Sequence, residues 1–142
     1  MKILIINGPN LNLLHKRDNK IYGDISLAEI EKKCHKIAQD YDMAIKFVQS
    51  NDEGEIVAKI QEAIDNFDAI IINAAAYTHT SVAIRDALEM YNKIKIEIHL
   101  SNIYKREEFR HKSLISDVVH GVICGFGDNS YYLALRAVKN FV

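Results

Sequence analysis

Residues 2–48 read KILIINGPNLNLLHKRDNKIYGDISLAEIEKKCHKIAQDYDMAIKFV, and their pattern changes period twice. Lys2 to Asn7 is a short apolar run closed by Gly8-Pro9, the form of a buried strand. From Ser26 to Tyr41 the apolar residues Leu27, Ile30, Cys34, Ile37 and Tyr41 recur at steps of three and four, which places them on one face of a helix. Ser26 with Glu29 three residues on is a capping box at its start. Met43 to Val48 returns to a strand pattern. A strand, a helix and a second strand in this order predict a parallel pair joined by a crossover.

The alternation continues to the end of the chain. Ser50-Asn51-Asp52 offers caps for a helix marked by Ile56, Val57, Ile60, Ile64 and Phe67. Ala69 to Ile72 is a third strand, Ser81 to Tyr91 a third helix, Ile94 to Leu100 a fourth strand and Val118 to Cys124 a fifth. Asp128 or Asn129 would cap a last helix running through Val142. Five strands and about four helices fit an α/β, flavodoxin-like three-layer sandwich with a five-stranded parallel sheet of order 2-1-3-4-5. With 142 residues and no linker or repeat, residues 1–142 are expected to form a single domain.

Composition narrows the function. Lys and Arg number 18 against 19 Asp and Glu, so no net charge draws the chain to nucleic acid or to an anionic membrane. No apolar run approaches the roughly 20 residues of a membrane span. The N-terminal apolar run lacks the small-residue cleavage site of a signal peptide. Cys34 and Cys124 form no metal or redox motif and are expected as reduced thiols in a cytoplasmic protein.

Ligands of open parallel sheets bind beyond the carboxyl ends of the strands. Here those ends carry Asn7 to Asn12, Asn73 with Tyr77-Thr78-His79, Glu97 to Asn102, and Gly125-Phe126-Gly127. On strand four, Lys95, Glu97, His99 and Ser101 share one face while Ile94, Ile96, Ile98 and Leu100 share the other. Either that polar face meets solvent at a sheet edge, or it lines a site. Gly8 to Ile25 is long for a strand-to-helix connection and reads either as a lid or binding loop or as a solvated segment. It is no phosphate-binding P-loop, because GPNLNLLH lacks the lysine and the second glycine of that motif. His79, Asp86, Glu97, His99 and His111 are zinc-ligand types, but none has ligand spacing, and no metal or other cofactor is expected.

Three long motifs carry a resemblance. Gly8-Pro9-Asn10-Leu11-Asn12-Leu13-Leu14 with Arg17 and Tyr22-Gly23 is the first. Asn73 with Ala76-Tyr77-Thr78-His79-Thr80-Ser81 through Ala87 is the second. Glu97-Ile98-His99-Leu100-Ser101-Asn102-Ile103, followed by Arg106-Glu107 and Phe109-Arg110-His111, is the third. Gly125-Phe126-Gly127 and the run from Tyr131 to Leu135 complete the pattern. Together they resemble type II 3-dehydroquinate dehydratase over essentially the whole chain. The chain departs from the usual family pattern at His15, at Asp18-Asn19 and at Ala74-Ala75, positions that touch loop geometry.

The resemblance implies a reaction: anti elimination of water from 3-dehydroquinate to 3-dehydroshikimate through an enolate, without Schiff base or metal. It serves the shikimate pathway of aromatic amino-acid synthesis or quinate breakdown. By position Tyr22 matches the base. A free phenol is only on the order of 0.1% ionised at pH 7, so the base needs a cation beside it. One positive charge at about 4 Å contributes roughly 4 kcal/mol at an effective dielectric near 20. Arg17 matches that cation, His99 the proton donor, Glu97 the carboxylate that orients or charges His99, and Asn10 the residue that helps stabilise the enolate through a water. Asn73, His79, Leu100, Ser101 and Arg110 match substrate-binding positions, and Asp86 a residue that reaches a neighbouring subunit's site. The implied partners are the small-molecule substrate and further copies of the chain, assembled as a dodecamer of four trimers. A flavodoxin-like nucleotide or flavin module without this activity is the other reading of the fold.

Overall fold

The computed structural model describes residues 1–141, which contain five strands and five α-helices; α1 and α2 are consecutive, and β4 leads to β5 through 3-10 turns alone. They are β1 (Lys2–Asn7), α1 (Asn19–Tyr22), α2 (Leu27–Asp40), β2 (Ala44–Gln49), α3 (Glu53–Asn66), β3 (Ala69–Asn73), α4 (Val82–Met90), β4 (Ile94–His99), β5 (Gly121–Cys124) and α5 (Asn129–Asn140). The strands form one parallel sheet in the order β2-β1-β3-β4-β5. This is the expected order and the expected α/β class.

The sheet is buried on both faces, as parallel strands require. Ile3, Ile5, Ile71, Ile96 and Ile98 pack with Ile30 and Cys34 of α2 and with Tyr131, Ala134, Leu135 and Val138 of α5. Leu4, Ile6, Ile70 and Ile72 pack with Ile56 and Ile60 of α3 and with Ile84, Ala87 and Leu88 of α4. Each fully buried Ile or Leu contributes about 1.5–3 kcal/mol relative to exposure. The helix starts follow from their caps. Ser26, Asp52 and Ser81 accept hydrogen bonds from the amides of Glu29, Glu55 and Ile84.

Several boundaries differ from those read in the sequence. The apolar run at Val118 and Val119 does not pair as a strand. Ser116–Val118 forms a 3-10 turn, and the two valines pack on the α3/α4 side of the core. The chain meets β4 only from His120, whose amide donates to the Lys95 carbonyl at 2.8 Å. The long segment from Gly8 to Ile25 is largely folded into a 3-10 stretch, Leu11–Lys16, and α1. Leu11, Leu14 and Tyr22 anchor it in the core. The last helix ends at Asn140, and the expected final residue, Val142, lies outside the described residues. Asp128 precedes that helix without capping it; its carboxylate accepts from the Tyr132 hydroxyl instead.

β4 is an interior strand, between β3 and β5. Its polar face is therefore not a solvent edge: Lys95, Glu97 and His99 are all buried. Lys95 reaches the Leu88 carbonyl at 2.7 Å, which satisfies one buried ammonium proton; the residues after it lead into the site.

Candidate active site

The sheet register brings the ends of β1 and β3 side by side, with Asn7 opposite Asn73, and sets Ile72 opposite Glu97. Close approach of the first two segments depends on Gly8. Its amide donates to the Asn73 carbonyl at 2.8 Å, and a Cβ there would lie 2.4 Å from the Ala74 carbonyl oxygen. Beyond these strand ends a pocket opens, lined by polar residues from all three of the sequence motifs. Asn10, Arg17, Tyr22, Asn73, His79, His99, Leu100, Ser101 and Arg110 all reach it. Two expected site residues do not. Glu97 lies behind His99, and Asp86 is exposed on α4, outside this chain's own pocket.

Tyr22 closes α1, is 7% exposed, packs in the core and lines the pocket. The Arg17 guanidinium donates to that phenol oxygen and lies 3.8 Å from the ring centroid. Burial lowers the Arg17 pKa, the Tyr22 oxygen opposes that, and the charges of Arg106 and Arg110 add repulsion. Arg106 was not singled out in the sequence. It lines the pocket with its guanidinium 5.0 Å from the Tyr22 ring centroid, and its buried Nε has no partner among the described residues. The only signal in the sequence is its place in the third motif, since one arginine in a polar loop otherwise reads as solvated.

His99, the last residue of β4, gives Nε2 to Glu97 Oε2 at 2.5 Å. A carboxylate can only accept, so Nε2 carries the hydrogen and Nδ1 is the nitrogen left for the pocket. Ser130 Oγ holds the His99 carbonyl at 3.0 Å. Glu97 is 0% exposed. Burial pushes its pKa up, but the bond and charge of His99 and the hydroxyls of Ser116 and Ser113 outweigh this and hold it below the usual carboxylate range.

His79 stacks near His99, with ring centroids 6.4 Å apart. Its Nδ1 donates to the Lys112 carbonyl at 2.7 Å, which leaves Nε2 as the other polar atom of a pocket-lining ring. Burial pulls its pKa down, only partly countered by that carbonyl, so the neutral ring is favoured.

Asn73 is fixed from behind by a buried network that also escaped the sequence reading. The Tyr131 hydroxyl donates to Asn7 Oδ1 at 2.6 Å and accepts from Asn73 Nδ2 at 3.1 Å. Asn73 Oδ1 accepts from the amide of Ala75, a pocket residue held at φ 52° where glycine is favoured. Asn10 also sits in the left-handed region, at φ 69°, with its amide held by Asn51. Among the described residues no group of three or more His, Cys, Asp and Glu side chains is placed to hold a metal.

The arrangement has a phenol beside a guanidinium, an imidazole backed by a buried carboxylate, and further arginines around one pocket. It can remove a proton from carbon, deliver one to an oxygen and hold an anion.

Comparisons with known proteins agree with this chemistry. The family model for dehydroquinase class II matches residues 1–139. A 3-dehydroquinate dehydratase of Francisella philomiragia is 58% identical over all 142 residues, covering 97% of that protein. One from Prochlorococcus marinus is 51% identical over the full chain and 98% of its own length. A crystal structure of type II dehydroquinase from Butyrivibrio crossotus superposes with a TM-score of 0.95 at 45% identity, covering 99% of this chain and 97% of that one. A match of this extent in sequence and in fold settles the relationship: the chain belongs to the class II dehydroquinase family.

Proposed function

We propose that this chain is a 3-dehydroquinate dehydratase of the second class, a hydro-lyase of the shikimate pathway, that works by a base, an acid and fixed charges in the one pocket. The observation that carries the reading is the Arg17–Tyr22 hydrogen bond, in the same pocket as a His99 whose other nitrogen is tied to Glu97. Tyr22, as phenolate beside the Arg17 charge, takes the proton from the carbon next to the substrate ketone. The enolate so formed is stabilised from the Asn10 side, through a water. His99 in its protonated form passes the Nδ1 proton to the departing hydroxyl, which leaves as water. The carboxyl group of the substrate meets Ser101 and the Leu100–Ser101 backbone, while Asn73, His79 and Arg110 hold the ring hydroxyls and carbonyl. A continuous ultraviolet assay for the conjugated enone product, with 3-dehydroquinate as substrate, tests the reading. No absorbance rise with purified protein sinks it.

The working unit is an oligomer of identical chains, a dodecamer of four trimers, acting in the cytoplasm. Asp86 supports this reading, because it is exposed and makes no ion pair among the described residues. It lies between Val82 and Met90 at four-residue spacing, and both of those apolar side chains are 58% exposed. A second copy covering this stripe would bury them and bring the Asp86 carboxylate to its own pocket. Both cysteines are free thiols, which suits a reducing compartment. No helix among the described residues is long and apolar enough to cross a membrane.

A further inference from the structure

The carboxylate of Glu97 is held at both oxygens. Oε2 accepts from His99 Nε2, while Oε1 accepts from Ser116 Oγ at 2.7 Å and from Ser113 Oγ at 3.0 Å. The terminal torsion of a glutamate is broad and roughly two-fold, so a carboxylate held at one oxygen alone can swing. Two donors on Oε1 remove that freedom.

The direction of the Ser113 bond is set by its other contacts. Its oxygen accepts from the amides of Ile115 at 3.2 Å and Ser116 at 3.1 Å. A hydroxyl has two acceptor sites and one hydrogen, so that hydrogen goes to Glu97. The segment carrying both serines is itself fastened at several points. The Lys112 carbonyl takes His79 Nδ1, the Leu114 amide donates to the Thr78 carbonyl at 2.8 Å, and Arg85 Nη1 holds the Leu114 carbonyl at 2.9 Å. The serines are thus anchored to α4 and to the 3-10 stretch Ala75–His79, not to the strand they act upon.

We propose that Ser113 and Ser116 are positioning residues for the proton donor: by clamping Oε1 of Glu97 they keep Oε2 on His99 Nε2 and the Nδ1 edge of the imidazole turned to the pocket. This rests on the reading of His99 as the proton donor in the dehydration. The bonds also favour the ionised carboxylate, so without them Glu97 takes up a proton at higher pH and is lost as the anionic acceptor for His99 Nε2. The other titratable or charged groups around the pair are His79, Cys124 on β5, and Arg17, Tyr22, Arg106 and Arg110 around the pocket. The serine substitutions below leave all of them in place.

The test uses Ser113→Ala, Ser116→Ala and the double variant, each assayed for kcat, KM and the pH profile of kcat/KM. In the double variant kcat should fall about tenfold, a part of the ~10²-fold or more that positioned acid–base catalysis supplies. KM should stay within about twofold, and the acid limb should move up by about one pH unit. Ser116→Thr keeps a hydroxyl and should restore most of the loss relative to Ser116→Ala. Melting curves report folding separately, and if the double variant does not fold, the two single variants and Ser116→Thr carry the same comparison. An unchanged kcat and acid limb in folded variants overturns the assignment. So does a loss of kcat with an unmoved limb and no rescue by threonine. A wild-type protein that makes no enone overturns the reading of the reaction and this inference with it, whereas an active wild type with unaffected variants overturns the inference alone.

Discussion

Tyr22 divides its atoms between the core and a charged neighbour. Its ring belongs to the α2/α5 side of the core, and its hydroxyl meets Arg17. Tyr22→Phe keeps the ring and removes only the oxygen, so the fold and most substrate affinity should persist while kcat falls by at least ~10²-fold. Arg17→Ala leaves the phenol without its adjacent cation and should lose a comparable factor. Near-normal turnover in Tyr22→Phe, measured by enone formation, removes the tyrosine from the base role. His99 is specified in the same atomic detail: Glu97 takes Nε2, and Nδ1 is the ring nitrogen left over.

At the scale of elements, the meeting of β1 with the end of β3 is the tightest junction at the site. In Gly8→Ala the new methyl would meet the Ala74 carbonyl, a backbone atom that cannot swing away. Overpacking of this kind costs about 1–3 kcal/mol. Melting should drop accordingly, and KM should rise because Asn73 and Ala75 move with the Ala74 peptide. An unchanged melting temperature would show that the strand ends are free to spread. The loop elements that fasten His79 and Glu97 give stability a pH dependence. Glu97 is held below its ordinary value, so its contribution is present above about pH 4.3 and is lost as pH falls through the folded value. His79 is also held low, so the unfolded chain binds its proton first and stability falls as pH drops through about 6.5. Both slopes have the same sign. Thermal melts should therefore decline from pH 7 to 4, and His79→Gln should flatten the upper part of that decline. A melting temperature that rises on acidification to pH 5 contradicts the burial of the neutral ring.

For the whole molecule, the surface is as informative as the core. Val82 and Met90 on α4 are joined by other exposed large apolar side chains, Tyr104, Phe109 and Phe126. Scattered singly they need no explanation, but Val82 and Met90 share a stripe with a carboxylate, Asp86, that makes no ion pair among the described residues. The protein is expected to sediment as twelve 16.2 kDa chains. Asp86→Ala should raise KM or weaken the trimer without lowering monomer stability by more than about 0.5 kcal/mol, the scale of a surface substitution. A fully active monomer in dilute solution would show that neither the shared site nor the assembly applies here.

The sequence by itself determined the run of strands and helices and the three motifs, because side-chain period and turn chemistry are local properties, and the sheet order followed from the fold that such a run fits. Through the resemblance of those motifs it also pointed to Arg17, Tyr22 and His99, which line one pocket. Tertiary structure alone decided the rest. The alternating pattern of Ile94 to Ser101, read alone, fits a solvent edge or a site, and the burial of Lys95, Glu97 and His99 on a strand paired at both edges excludes the solvent edge. Val118 and Val119 read as strand because apolar residues look alike whether they pair or pack. Ser113 and Ser116 carry no local signal, and Arg106 and Tyr131 none beyond their place in the motifs. Their contacts join residues up to 124 positions apart, and such contacts exist only once the crossovers have brought the strand ends together.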